Sequence, residues 1–329
     1  MNRRNAVTLL GGTGFIGGRV ADRLADAGAD ITTIQRGLTP APLRGTALTA
    51  DRHSGAQLRA ALTMAAPGVL VDMVAYRARD AEVLLEALPG SIERLVLVSS
   101  GDVYWTYAAF LGLAAGAPPA GPLEEGAPVR AVRHPYRAQA SGPDDLLYHY
   151  DKLDVEDVLR GGDVPVTVLR LPMVYGPGDP QERVAGALAR LESSGGELRI
   201  HPGEARWRCT RGYVEDVAAA IALAALDPRA TGRTYNVGEA DAPAEGEWLE
   251  AVAGAAGWRG EIVPDPGAAA SRPGRWEFPL VTDTRRIREE LDFREVVGRA
   301  EGLRRCVRDA ARAPGATAAA PPGRPTSGG

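Results

Sequence analysis

Two groups of residues in this 329-residue chain combine types and spacing that chemistry could use. The first is GGTGFIG, in which Gly11, Gly14 and Gly17 recur at every third position. A first glycine permits a sharp turn, a second lets backbone approach a pyrophosphate, and a third lets a helix pack closely on a strand. A diphosphate then sits at a helix N-terminus, where free N–H groups and the helix dipole favour negative charge. The second group is the stretch DLLYHYDKLDVEDVLR, residues 145 to 160. Read as one amphipathic helix, it puts Tyr148 and Lys152 on a shared face, with Tyr150 turned away by about 200°. A phenol ionises near pH 10, about three units too high for a base at neutral pH; an adjacent ammonium stabilises the phenolate and lowers that value. The spacing therefore selects Tyr148 as a base tuned by Lys152, able to take a proton from a hydroxyl while hydride leaves the same carbon.

These residues need a scaffold, and the chain supplies an alternating one. AVTLL (6–10), DITTIQ (30–35), TALTAD (46–51), GVLVDMVAY (68–76) and RLVLVSS (94–100) read as strands, separated by segments with apolar residues three and four apart. The expected fold is α/β, a Rossmann-type doubly wound parallel sheet. The span 112–143 is dense in Pro, Gly and Ala and reads as a long loop or lid. Further elements are expected as strand 165–171, helices near 180–194 and 213–226, strand 232–238, helix 246–257 and a polar helix over 284–312. Residues 313–329 read as a disordered tail.

At the end of the second strand, an acid would hold a ribose 2′-hydroxyl, but Gln35 and Arg36 stand there instead. Arg36 suits a 2′-phosphate, which favours NADP over NAD; stacking on adenine and a solvated surface role are the other readings. Asp51, after the third strand, suits the adenine amino group or an ordinary loop.

Composition narrows the classes further. A net charge of −4, with acids and bases mixed along the length, offers no basic face for nucleic acid or an anionic membrane. The partner expected is a small molecule. Two distant cysteines and four histidines make no disulfide framework and no metal site, which favours a cytoplasmic protein. The basic N-terminus before an apolar run superficially suggests a signal peptide. Its glycine spacing and the helical pattern that follows speak for the nucleotide loop instead.

Taken in order, GGTGFIG, SSGDVY, YHYDK, VLRLPMVYGPGD, YVEDVAAAIALA and YNVGE resemble the extended short-chain dehydrogenase/reductases of the NAD-dependent epimerase/dehydratase group, from about residue 5 to about 310. The resemblance implies an NAD(P)-dependent oxidoreductase acting on a nucleotide-activated sugar through hydride transfer, with a smaller C-terminal substrate-binding domain: residues 1–171 as the nucleotide-binding part, 213–240 returning to it, and 172–212 with 241–312 as the substrate side. Its implied site has Ser100 orienting the reacting oxygen, Tyr148 as base and Lys152 as tuner, with Ser99 structural. Asp102 stands where related dehydratases and decarboxylases carry a glutamate, so it is either a second acid or base or a loop cap. The implied cofactor contacts are Gly11, Gly14, Phe15, Ile16, Gly17, Arg36, Asp51, Ala75, Tyr76, Lys152 and Pro172. Relatives often pair through two long helices, which makes a homodimer through 145–160 and 77–88 an expectation.

The chain also departs from that pattern. Trp105 replaces the usual glycine after Val-Tyr, the span from Ser100 to Tyr148 is long, and Ala75-Tyr76-Arg77 replaces a His-x-Ala-Ala segment. Tyr76 is read either as a nicotinamide neighbour or as packing. No arginine aligns cleanly with the family's diphosphate arginine, which leaves Arg208 and Arg211 as substrate candidates; Trp207, Trp248 and Trp258 read as packing. Two alternatives stand beside the favoured function. One is an NADPH-dependent ketoreductase, which Arg36 and the altered lid suit. The other is a non-catalytic dinucleotide-sensing or RNA-associated protein, against which the Ser100, Tyr148 and Lys152 set and the acidic pI count.

Overall fold

The computed structural model describes residues 5–37 and 44–312, so the tail expected over 313–329 lies outside the described residues. Strands β1 (Ala6–Leu10), β2 (Asp30–Gln35), β3 (Thr46–Thr49), β4 (Val69–Asp72), β5 (Arg94–Ser100) and β6 (Val166–Leu171) belong to the main sheet. Short strands β7 (Met173–Tyr175), β8 (Glu197–Ile200) and β9 (Arg211–Tyr213) follow, then β10 (Thr234–Asn236) and β11 (Glu261–Pro264). The main sheet has seven parallel strands in the order β10-β6-β5-β4-β1-β2-β3. This is the expected doubly wound, Rossmann-like fold. Its strand order reverses between β1 and β4, and the crevice beyond their carboxyl ends is where ligands of such sheets bind.

Helices cover both faces because a parallel sheet buries both. On one side α1 (Gly17–Asp26) packs on α9 (Val214–Leu226); on the other lie α2 (Gly55–Ala65), α3 (Ala78–Ala87) and α6 (Lys152–Arg160). The cores follow this division: Val20, Leu24, Val217 and Ile221 fill the first, and Leu58, Leu62, Leu84, Val155 and Leu159 the second. Between β5 and α6 run the short helices α4 (Trp105–Phe110) and α5 (Leu146–His149). The C-terminal part adds α7 (Arg183–Ser193), α8 (Pro202–Arg206), α10 (Glu245–Ala256), α11 (Arg285–Leu291) and α12 (Arg299–Ala310), with parallel pairs β7–β9 and β8–β11.

Two expected helices are each split. The one expected over 284–312 stops at Asp292, whose φ of 57° is left-handed, and resumes at Arg299. The one expected over 145–160 ends at His149; Tyr150, with ψ of 122°, leaves the helical region and Asp151 is extended before α6 begins at Lys152. Asp151 causes this break, because its carboxylate accepts the backbone N–H groups of Leu153 and Asp154 and so starts a new helix.

The 112–143 span is a strap with one short 3₁₀ turn, Arg137–Gln139. Leu123 bridges to Thr282, and Asn236 at the end of β10 donates to the Leu123 carbonyl at 2.9 Å. Further along, the strap crosses α6. Arg130, 1% exposed, pairs with both carboxylate oxygens of Asp151 at 2.5 and 3.0 Å, while Arg133 reaches Asp154 and Asp157.

Candidate active site

The nucleotide loop leaves β1 at Gly11, whose φ of 90° is left-handed, and enters α1 through Ile16. A Cβ at Gly17 would lie 2.0 Å from the Gly11 carbonyl oxygen, so this glycine lets α1 press onto the loop. At Gly14 the nearest atom to a Cβ is 4.0 Å away, which leaves an open cradle at an exposed position. The donor set of the loop and that open cradle fit a dinucleotide. Buried oxygens without partners among the described residues, Thr33 Oγ1 and Gln35 Oε1, lie along β2 toward its carboxyl end, where the adenosine half would sit. Phe15 carries the Arg19 guanidinium 5.3 Å from its ring centre. Arg36 is exposed and makes no ion pair among the described residues, whereas Asp51 closes its own turn by accepting the His53 N–H at 3.0 Å. Pro172 follows β6 and packs beside Gly212 and Gly238.

The sheet's carboxyl edge gathers the next group. Lys152 is 4% exposed, and its Nζ donates to the carbonyls of Ala75 at 2.7 Å and Val98 at 2.9 Å, tying the chain after β4 to β5. Burial lowers its pKa to about 8, partly offset by the carboxylates of Asp72 and Asp102. The ammonium sits 4.5 Å above the Tyr76 ring. Below Tyr76, Arg52 holds Asp72 in a buried bidentate pair at 2.9 and 3.0 Å.

At the end of β5, Ser99 points inward and donates to Glu156 at 2.6 Å, a structural role matched by Arg170 on the same carboxylate. Ser100 stays partly exposed and its Oγ accepts the Asp102 N–H at 3.2 Å. Asp102 is 4% exposed, and its Oδ2 accepts the hydroxyls of Tyr150 at 2.9 Å and Tyr136 at 3.2 Å. Its Oδ1 is buried without a partner among the described residues. Burial pushes the Asp102 carboxyl up from the ordinary carboxylate range, with Arg130 pulling the other way. The Tyr150 and Tyr136 phenols are pushed well up, by burial first; for Tyr150 the Asp102 charge adds to this.

The shared face expected for Tyr148 and Lys152 does not form, because the backbone leaves the helix at Tyr150 and is extended at Asp151 between them. In extended backbone, side chains two apart point the same way, so Tyr150 takes the Lys152 side. The ring contacts agree: Tyr150 stacks on Tyr76 with centroids 6.1 Å apart, the same ring that Lys152 overlies. Tyr148 faces the strap, with the Arg137 guanidinium 4.7 Å from its ring centre. The Asp-x-x-Asp spacing of Asp151 and Asp154, a helix-start signature, was the signal for this break.

Of the two arginine candidates, Arg208 is exposed and donates to the Ala242 carbonyl at 2.7 Å. Arg211 is buried, paired with Glu245 at 2.5 Å and stacked on Trp248. An arginine the sequence reading passed over, Arg272, is half-buried between Trp207, Phe110 and Trp276, its guanidinium 4.5 Å from the Trp207 ring, and has no carboxylate partner among the described residues. Trp207 and Trp248 are themselves buried. His134, Asp151 and Asp154 bring potential ligand atoms within 4.8 Å of one another, but Arg130 and Arg133 already neutralise the two carboxylates.

With this geometry in place, the comparisons decide the family. The family model "NAD dependent epimerase/dehydratase family" matches residues 7–238. The chain belongs to that family of enzymes. Solved structures share its fold over nearly the whole length. A putative epimerase from Burkholderia cenocepacia is 22% identical, covers 93% of this chain and 98% of its own, and has a TM-score of 0.70. The NAD complex of UDP-glucose 4-epimerase from Thermus thermophilus is 25% identical, with 93% and 99% covered and a TM-score of 0.68. UDP-glucose 4-epimerase from Thermotoga maritima, solved with UDP-glucose, is 19% identical, with 92% and 97% covered and a TM-score of 0.67. No curated protein matches the chain. Among the described residues, no helix is long and apolar enough to cross a membrane.

Proposed function

We propose that this epimerase/dehydratase-family enzyme binds NAD(P) across the β1–β4 crevice and oxidises a hydroxyl of a nucleotide-activated sugar, as the first step of its conversion. The observation that carries the reading is the meeting of Lys152, Ser100 and Asp102 at the carboxyl ends of β4 and β5, beside a glycine loop left open at Gly14. When bound, the nicotinamide accepts or returns hydride. The chain's own residues do the rest. Gly11 to Gly17 receive the diphosphate on backbone N–H groups, and Lys152, with two of its three donors used, keeps one for the cofactor's ribose. Ser100 Oγ orients the reacting oxygen. Arg272, a planar cation walled by three aromatic rings, suits the sugar nucleotide's phosphates. The UDP-sugar epimerases of similar fold support the substrate class.

Gln35 and Arg36, which has no ion pair among the described residues, favour NADP over NAD within this reading. A cytoplasmic location and pairing of two chains through α3 and α6 belong to the same proposal, and light scattering checks the pairing. The primary test is mass spectrometry of nucleotide released from denatured protein, followed by incubation with a panel of UDP-, dTDP- and GDP-sugars. Released NAD(H) or NADP(H) and a converted sugar are expected. A protein that binds neither dinucleotide overturns the proposal.

A further inference from the structure

We propose that the proton of the reacting hydroxyl passes to Asp102 in this chain, and that Tyr150, rather than Tyr148, is the tyrosine of the site, holding Asp102 in position. This rests on the dehydrogenase reading above and specifies its acid–base chemistry. Three independent features support it.

The first is the break at Tyr150 and Asp151, which removes Tyr148 from the Lys152 face and turns it onto Arg137. The break is built in: Arg130 from the strap donates to both Asp151 oxygens and to the Asp102 carbonyl at 3.0 Å. One guanidinium thereby fixes the start of α6 and the turn that carries Asp102. The second feature is the asymmetry of the Asp102 carboxylate. Oδ2 takes two phenol hydroxyls, while Oδ1 is buried with nothing among the described residues donating to it. A buried acceptor left open is destabilising, and a substrate hydroxyl is the donor that would remove this cost. The third is position, because Asp102 lies two residues beyond Ser100, whose Oγ accepts its N–H, and both follow β5 at the sheet's ligand edge.

The step balances. The substrate's C–H bond breaks and its electron pair leaves as hydride to an oxidised nicotinamide dinucleotide. Its O–H bond breaks and the proton goes to Asp102 Oδ1, while the carbon–oxygen double bond forms. Asp102 then returns the proton when hydride comes back. Burial makes this carboxylate more basic than an ordinary one, in the direction a base needs. Tyr150 is a positioning residue, since its hydroxyl is committed to Oδ2.

Two measurements decide the matter. In protein without added nucleotide, tyrosinate absorbance is followed against pH for wild type, D102N and the D102N/Y150F double variant. Removing the Asp102 charge should let the two buried phenols on it, Tyr150 and Tyr136, ionise at lower pH, and the double variant should lose the Tyr150 part of that step and keep the Tyr136 part. A D102N curve that superposes on wild type overturns the pair. In the second measurement, turnover of the sugar found in the panel is followed against pH. D102N should lose about 10²–10⁴-fold, with NAD(P)H binding retained as a check on folding. Y150F, lacking one donor to the carboxylate, should move the acidic limb of the profile to higher pH, which a purely structural role would not do. A loss in Y148F as large as that in D102N, or a Y150F profile with an unmoved limb, overturns the assignment alone. A wild type that converts no sugar and binds no dinucleotide removes the underlying reading, and the assignment with it.

Discussion

The glycine loop and the strap are both irregular segments beside the same crevice, yet they are specified in different ways. Between β1 and α1 the chain is fixed by what is missing: no Cβ at Gly11, where φ is positive, and none at Gly17, where one would strike the Gly11 carbonyl. The strap is fixed by what it carries, a buried guanidinium that joins Asp102 to Asp151 across 49 residues of chain. A steric rule acts over a few residues. A buried ion pair acts over any separation, and it fails badly when half of it is removed. The nucleotide side should therefore tolerate damage in the strap, while the Asp102 side should not.

Removing the guanidinium gives the largest expected effect. Arg130→Ala leaves a carboxylate with a fully buried side chain and is expected to cost about 3–5 kcal/mol, read as a lowered urea midpoint. The pH dependence has a definite sign. Burial alone would raise the Asp151 pKa, but Arg130 and the His134 N–H outweigh it and hold it below the ordinary value. Its stabilisation is therefore complete above the unfolded-state pKa and is lost as pH falls through the lower folded one. The gap between wild type and Arg130→Ala should narrow on acidification; a gap independent of pH would show that Asp151 is not the partner that matters. NAD(P)H affinity at a temperature where the variant is folded should change far less than sugar turnover, and equal losses would erase the contrast between the two regions.

On the nucleotide side, two glycines separate packing from ligand approach. Gly17→Ala puts a methyl 2.0 Å from the Gly11 oxygen and 2.9 Å from the Gly12 Cα, a backbone clash that no rotamer relieves. The expected loss is about 1–3 kcal/mol or more. Gly14→Ala meets open space, so its melting temperature should hold while dinucleotide affinity falls by about tenfold, 1.4 kcal/mol. A titration in which Gly14→Ala binds as tightly as wild type would place the diphosphate elsewhere.

The same contrast explains what the sequence disclosed. β1 and β5 fall on the residues read from it, and α1 begins at the third glycine, because alternation, glycine spacing and helix period are local properties. Ser99 and Ser100 were told apart by the resemblance, through the distance to Tyr104, and the strand agrees, since neighbours on it face opposite sides. The shared helix face of Tyr148 and Lys152 was misread because helical spacing was extended across Asp151, a residue whose own type starts a helix. Nothing local reveals that Arg130 would clamp it, or that Tyr136 would join Tyr150 on Asp102. Arg211 shows the limit from the other side: its sequence neighbourhood offered it as a substrate candidate but said nothing of the fold that buries it against Glu245 and Trp248. Arg272 was passed over because its aromatic walls come from three separate stretches of chain.

The smallest effect lies three residues from the largest. Arg133 reaches Asp154 at 2.8 Å and Asp157 at 2.9 Å, distances as good as those of Arg130, but its side chain is 41% exposed. Water screens such pairs and the long side chain loses entropy in making them, so Arg133→Ala should cost only about 0–1 kcal/mol. Raising the salt concentration should shrink that cost further, because exposed pairs are screened, while the effect of Arg130→Ala should persist. If the two variants proved equally damaging, burial would not be what distinguishes them, and the strap would be held by its whole length rather than by one guanidinium.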